Sequence, residues 1–164
     1  MKILLLLRHA KSSWDEPTLR DFDRPLNKRG KKAAPQMGKY MRERKIKPHL
    51  VISSPAERAQ ETAALVTKAA KIKTPIRYDE RIYEANIGKL LEVISQIDDD
   101  ASEVLLVGHN PGMEEILELL TGEVQRMPTT ALARITLNID HWNEVKERSG
   151  QLDWIVKPKE LANH

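Results

Sequence analysis

The sequence contains no cysteine. That absence excludes disulfides, iron–sulfur clusters and thiolate zinc sites, and it fits a reducing compartment. Aromatic residues are scarce, with one Phe, three Tyr and three Trp. Basic residues are interleaved with acidic ones, so a net charge of +3 does not amount to a nucleic-acid footprint. The densest basic run, Lys28-Arg29-Gly30-Lys31-Lys32, reads as a solvated helix start. Long apolar runs are missing too. Nothing approaches the ~18 apolar residues of a membrane helix. The first such run, Ile3–Leu7, is too short for a signal-peptide core and leads straight into Arg8, His9 and Lys11. The expectation is a cytoplasmic protein without a membrane or nucleic-acid partner. No repeat or low-complexity segment is present. No metal-ligand spacing occurs, and His49, His141 and His164 read as structural or surface residues.

What is there describes an ordinary globular chain, 40% hydrophobic and 31% charged. Residues 1–164 read as one domain. Ile3–Leu7 and Val104–Val107 have the continuous apolar character of buried parallel strands, and Leu50–Ile52 is a shorter third. Ser54-Pro55-Ala56-Glu57 predicts a helix start, with Ser54 as cap, Pro55 in the first position and Glu57 closing a capping box. Asn110-Pro111 predicts another, with Gly122 ending that helix. Weaker helices fit Asn27–Arg44 and Ile87–Ile97. Pro35 lies inside the first and costs ~3 kcal/mol in a helix interior, so a kink or a later start is expected there. After residue 130, Ala133, Ile135, Leu137 and Ile139 alternate with polar residues as a half-buried strand. Ser149-Gly150 marks a turn, and Leu152–Val156 fits its antiparallel neighbour. The pattern predicts an α/β three-layer α/β/α sandwich, mostly parallel, with an antiparallel edge strand or hairpin near the C-terminus.

In such sheets, sites form beyond the carboxyl ends of the parallel strands. Ile3–Leu7 ends in Arg8-His9. Leu50–Ile52 ends in Ser53-Ser54, with Arg58 in the first turn of the helix that follows. Val104–Val107 ends in Gly108-His109. Two histidines and two arginines thus reach one sheet edge, an arrangement suited to phosphoryl transfer. Arginine offers a permanently charged fork to phosphoryl oxygens, and helix starts add N–H groups and positive dipole ends. A neutral imidazole is a competent nucleophile near pH 7, provided its other nitrogen donates, for example to a backbone carbonyl. The second histidine is expected to be protonated and to hold the transferring oxygens.

Arg8-His9-Ala10 resembles the Arg-His-Gly signature of the histidine phosphatase (phosphoglycerate mutase-like) superfamily. Ser54-Pro55-Ala56-Glu57-Arg58-Ala59-Gln60-Glu61-Thr62-Ala63 resembles its Ser-x-x-x-Arg-Ala-x-x-Thr-Ala segment, and Gly108-His109 its second histidine. Arg8–Trp14, the Asp23-Arg24-Pro25-Leu26-Asn27-x-Arg29-Gly30 stretch and Val107–Gly112 are similar to the short SixA-type phosphohistidine phosphatase branch. The resemblance implies His9 as the phosphorylated nucleophile, Arg8 and Arg58 as phosphate clamps, and His109 as their electrostatic partner. It adds Asn110 and Ser12 as phosphate contacts. Glu84 matches the acid that protonates the leaving oxygen in the superfamily's phosphomonoesterases. Ala10 departs from the family glycine, Lys11 stands where relatives carry a polar or acidic residue, and Asp15 stands where phosphoglycerate mutases place an asparagine. Lys11, Ser12 and Arg24 also read as plain loop residues, with Arg24 paired to Asp21 or Asp23. Thr129 and Thr130 read as turn residues.

The implied function is a phosphohistidine phosphatase acting on a phosphorylated protein, with no cofactor and no metal. The alternatives are a small-molecule phosphomonoesterase using Glu84, acting on a phosphorylated metabolite, and a non-catalytic phosphate-binding module.

Overall fold

The computed structural model describes residues 1–161; His164 lies outside the described residues. Six strands form one sheet in the order β3-β2-β4-β1-β5-β6. These are β1 (Lys2–Arg8), β2 (Leu50–Ser53), β3 (Ile76–Tyr78), β4 (Glu103–Gly108), β5 (Leu132–Leu137) and β6 (Gly150–Val156). The first four are mutually parallel, while β5 runs antiparallel to β1 and β6 antiparallel to β5. The mostly parallel sheet with a C-terminal antiparallel hairpin is the architecture expected from the sequence.

The buried strands show why their sequences are continuously apolar. Leu4 and Leu6 of β1 pack with Leu90, Ile94, Ile116 and Leu117 on one face. Leu5 and Leu7 pack with Met37, Met41, Ala63 and Val66 on the other. With period-two alternation, both faces of the sheet must then be covered. Helices α1 (Lys28–Glu43) and α2 (Glu57–Ala70) cover one side, and α3 (Ile87–Ser95) and α4 (Gly112–Thr121) the other. Gly38 lets α1 and α2 approach closely, since a Cβ there would sit 2.4 Å from the Val66 carbonyl. A one-turn helix, α5 (Pro158–Leu161), follows β6.

Several local expectations change. Helix α1 runs through Pro35 without a break, and its buried face is Gly30, Ala34, Met37, Gly38 and Met41. The bond that Pro35 forgoes would go to the carbonyl of Lys31, an exposed residue. Asn27 caps this helix, its side chain accepting from the Gly30 N–H. The two cap expectations fail: α2 starts at Glu57 and α4 at Gly112, and neither has a side-chain cap. The side chains of Ser54 and Asn110 are engaged elsewhere, in the site described below. Gly122 does end α4, in the left-handed region at φ 79°. Strand β5 stops at Leu137, short of Ile139, and the three-residue edge strand β3 and α5 carry too little periodicity to stand out.

Candidate active site

β1 and β4 run in register to their ends, where Arg8 pairs with Gly108. The His9 N–H donates to the Gly108 carbonyl at 3.0 Å, and the Thr130 N–H lies 3.0 and 3.1 Å from the Arg8 and His9 carbonyls. Thr130 thus serves the turn, in the left-handed region at φ 67°. His9 is only 7% exposed. Its Nδ1 lies 2.7 Å from the Ala10 carbonyl. A carbonyl only accepts, so Nδ1 carries the proton and Nε2 keeps its lone pair. Ala10 is itself held, its N–H donating to Thr62 Oγ1 at 2.9 Å, and that hydroxyl donates to the Arg58 carbonyl at 2.7 Å. Burial foremost pushes His9 down to about 4; the Ala10 bond opposes this, and the charges of Arg58, Arg8 and Arg24 add to it.

The His109 ring sits 5.0 Å from that of His9. Its Nε2 lies 2.7 Å from Ser54 Oγ, which also accepts the Ala56 N–H at 3.2 Å. Burial, then the neighbouring His9 and Arg58, push His109 down to about 3. This corrects the expectation of a protonated second histidine. Its hydrogen-bond partner is a neutral hydroxyl, not a carboxylate, so nothing in contact with it compensates a buried charge.

The carboxylate nearby serves the arginines instead. Arg58, 7% exposed, donates from Nη1 to the Asp21 carbonyl at 2.7 Å and from Nη2 to Asp21 Oδ2 at 3.0 Å. Arg24 donates to Asp21 Oδ1 at 2.9 Å, to the Ser13 carbonyl at 3.1 Å and to Ser12 Oγ. Tyr83 Oη donates to Asp21 Oδ2 at 2.7 Å. Burial disfavours the Asp21 charge, but the bonds from Tyr83, Arg58 and Arg24 hold its carboxyl at about 2. Burial, with the Asp21 bond, pushes the Tyr83 hydroxyl up to about 12. The Tyr83 ring meets His109 edge-on at 5.6 Å and Phe22 at 5.1 Å.

Arg8 is held from the other side. It donates from Nη1 to the Met127 carbonyl at 3.1 Å, and its buried Nε has no partner among the described residues. Burial lowers its pKa from the usual value, with Glu114 opposing. Glu114 accepts from Asn110 Nδ2 and from the Met127 N–H, both at 2.8 Å. Asn110 Nδ2 also reaches the Met127 carbonyl at 2.9 Å. Asn110 Nδ2 is thus spent on fixing this loop, while its buried Oδ1 has no partner among the described residues.

Arg8, His9, Ser12, Arg58, His109 and Asn110 line one cleft of about 470 Å³, with Lys11, Trp14, Arg24 and Thr129. No carboxylate lines it. Permanent cations around two neutral histidines make it an anion receptor with a free imidazole lone pair. Glu84 does not line this cleft. It is exposed, at φ 53°, beside a second cleft of about 410 Å³ that shares His109 and Asn110 with the first. Among the described residues, no group of three His, Asp or Glu could hold a metal ion, and no helix is long and apolar enough to cross a membrane. His49 and His141 are exposed and lie at the opposite ends of the strands.

Four supporting residues were not singled out from sequence for the roles they play here. Thr62 and Glu114 stand four residues after Arg58 and Asn110, one helical turn on, so a same-face search would find them. Ser54 was assigned only to a cap. Asp21 was foreseen for Arg24, but nothing local links it to Arg58 or Tyr83.

The family model of the histidine phosphatase superfamily (branch 1) matches residues 4–99. The chain belongs to this superfamily. An uncharacterised chloroplast protein of Arabidopsis thaliana is 32% identical over 162 residues, covering 92% of this chain and 73% of the relative. The solved structure of an Agrobacterium tumefaciens protein, provisionally named phosphohistidine phosphatase SixA, is 31% identical with a TM-score of 0.82, covering 96% of this chain and 98% of that one. The protein histidine phosphatase SixA in complex with tungstate shares the fold, with a TM-score of 0.84 at 21% identity over 97% of this chain and 99% of that one. Within the histidine phosphatase superfamily, this chain is of the SixA type.

Proposed function

We propose that the protein is a phosphatase that hydrolyses protein phosphohistidine through a covalent phospho-His9 intermediate. The observation that carries the reading is the state of His9, neutral and tied at Nδ1 to the Ala10 carbonyl, with Nε2 free in a cleft of cations. Nε2 attacks phosphorus while Arg8 and Arg58 hold the phosphoryl oxygens. The P–N bond of the substrate breaks as the His9 bond forms. When the substrate ring carries a proton, its imidazole leaves neutral and no external acid is consumed. The new intermediate keeps its Nδ1 proton on Ala10, so it is a phosphoimidazolium with a good leaving group. Water then attacks phosphorus, dihydrogen phosphate departs, and His9 returns to its starting tautomer. Two negative charges from the phosphoryl group also raise the proton affinity of His109 beside it, allowing a proton on His109 to stabilise the transferring oxygens.

The likeness to the provisionally named SixA protein supports a phosphohistidine substrate. The position of Glu84 supports a second reading, hydrolysis of a small phosphomonoester. An alkoxide leaving group needs a proton, and Glu84 stands on the cleft that shares His109 and Asn110.

A panel of P–N and P–O substrates under identical conditions tests both. A phosphohistidine polypeptide should be dephosphorylated, and His9→Ala should lower the rate by on the order of a thousandfold or more. Labelled phosphate should be trapped on His9 by alkaline quench. Glu84→Gln should cripple hydrolysis of an alkyl phosphate and spare the P–N substrate. Equal loss on both favours the phosphomonoester reading, and no release above His9→Ala sinks the phosphatase.

A further inference from the structure

The rim of the cleft is asymmetric in a way that the reaction does not require. On one side, residues 11–13 lie clamped along residues 25–27. The Ser13 N–H donates to the Pro25 carbonyl at 2.8 Å, the Asn27 N–H to the Lys11 carbonyl at 2.9 Å, and Ser12 bridges Leu26 in antiparallel fashion. The first turn of α1 rests directly on this strip. Gly30 permits the contact, because a Cβ there would sit 2.2 Å from the Lys11 carbonyl. From this platform Trp14 projects 76% exposed. Its indole is backed by the Arg24 guanidinium, 3.2 Å from the ring centroid. Arg24 is fixed by Ser12, Ser13 and Asp21, so Trp14 is braced, not loose. Beside it, exposed Lys28, Arg29 and Lys31 line a shallow depression of about 410 Å³ with a single carboxylate, Asp15. None of these three cations is in an ion pair among the described residues. On the other flank, the second cleft is charged only by Glu84 and Glu115.

We propose that Trp14 and the first turn of α1 form the docking surface for the phosphorylated protein, and that this partner presents an acidic face around its phosphohistidine. The inference rests on the phosphohistidine reading above. A phosphoryl dianion is already met by the cations lining the reaction cleft, which leaves the three outside it available to another part of the substrate. A braced, exposed indole is the kind of anchor that carries interface energy, since burying it removes roughly 150–250 Å² of surface from water. The surrounding cations steer and orient an acidic partner, and the carboxylates on the opposite flank repel one docked the wrong way round.

The test uses two synthetic peptides with one phosphohistidine each, flanked by glutamates in one and lysines in the other, with phosphoramidate as the small P–N control. The unaltered protein should show a KM at least about tenfold lower for the glutamate-flanked peptide. The triple charge reversal Lys28→Glu, Arg29→Glu, Lys31→Glu should abolish or invert that preference while leaving phosphoramidate hydrolysis unchanged. Trp14→Ala should raise KM for both peptides with little effect on kcat, and Trp14→Phe should recover most of the loss. Equal KM for the two peptides, or a triple variant with the original preference, overturns the docking surface alone. A Trp14→Ala defect confined to kcat shows that the indole acts only by bracing Arg24. Failure of the unaltered protein to hydrolyse either peptide overturns the phosphohistidine reading and the docking surface with it.

Discussion

At the amino ends of the central strands, Asp99 accepts the Trp142 N–H at 2.9 Å and faces His141 Nδ1 at 3.0 Å. Lys2 Nζ donates to the Asp99 carbonyl at 2.8 Å. The Trp142 bond and then His141 lower the Asp99 carboxyl below its usual value. At the carboxyl ends, Asp21 gathers Arg58, Arg24 and Tyr83, and no carboxylate touches His9 or His109. Both ends hold a histidine, a cation and an aspartate. At the amino end the aspartate partners the histidine in solvent, and the group is a fastening. At the carboxyl end the aspartate partners the arginines, and the histidines are buried against a carbonyl and a hydroxyl. Desolvation without a compensating carboxylate keeps an imidazole unprotonated, and that separates a nucleophile from a strap.

The contrast breaks most strongly at Asp21. Asp21→Asn leaves Arg58 and Arg24 without their shared anion, so Arg58 keeps its bond to the Asp21 carbonyl but loses the charged half of its anchorage, while the cleft becomes more positive. The expected result is a fall in kcat of about tenfold, moderated because the Asp21 side chain is half exposed, with no rise in KM. Steady-state kinetics on a P–N substrate check this, and a raised KM with unchanged kcat would contradict it.

A smaller effect comes with pH. The His9 nucleophile is neutral above a pKa of about 4. The limb of kcat/KM that reports its protonation should therefore fall near pH 4, well below the 6–7 of an ordinary histidine. The same shifts act on stability with a definite sign. His9 and His109 have folded pKa values of about 4 and about 3, below the usual histidine value of 6.5. Below pH 6.5 the unfolded chain takes up protons that the folded one refuses. Their linked contribution therefore lowers stability from about pH 6.5 down to about pH 3. Denaturant titrations of wild type and His9→Gln should diverge over that window, the variant losing less.

The smallest effect belongs to the amino end. Asp99→Asn should leave kcat/KM within about twofold and reduce the melting temperature slightly, since the Asp99 carboxylate and His141 are solvent-exposed. A marked kinetic defect there would show that the two ends are coupled.

The central strands, the ends of the outer layers and the positions of Arg8, His9, Arg58 and His109 were legible from sequence. Each is a short-range statement: an apolar run, a helix start, and the residue that follows the strand. The Ala10 carbonyl that fixes the tautomer of His9 was anticipated as a type of partner, because the chemistry demands an acceptor and the backbone is adjacent. The neutral state of His109 in the free site was not legible, since charge state depends on burial and on which group stands opposite, and Ser54 is 55 residues away in the chain.

By itself, then, the sequence determined which residues arrive at one edge of the sheet, because strand period and chain direction are local properties. Tertiary structure decided how they are charged and, apart from the bond between His9 and the adjacent Ala10 carbonyl, how they are held. Asp21 reaches Arg58 across 37 residues and Tyr83 across 62. Bonds of that span depend on how loops fold back over the sheet, and no local pattern encodes them.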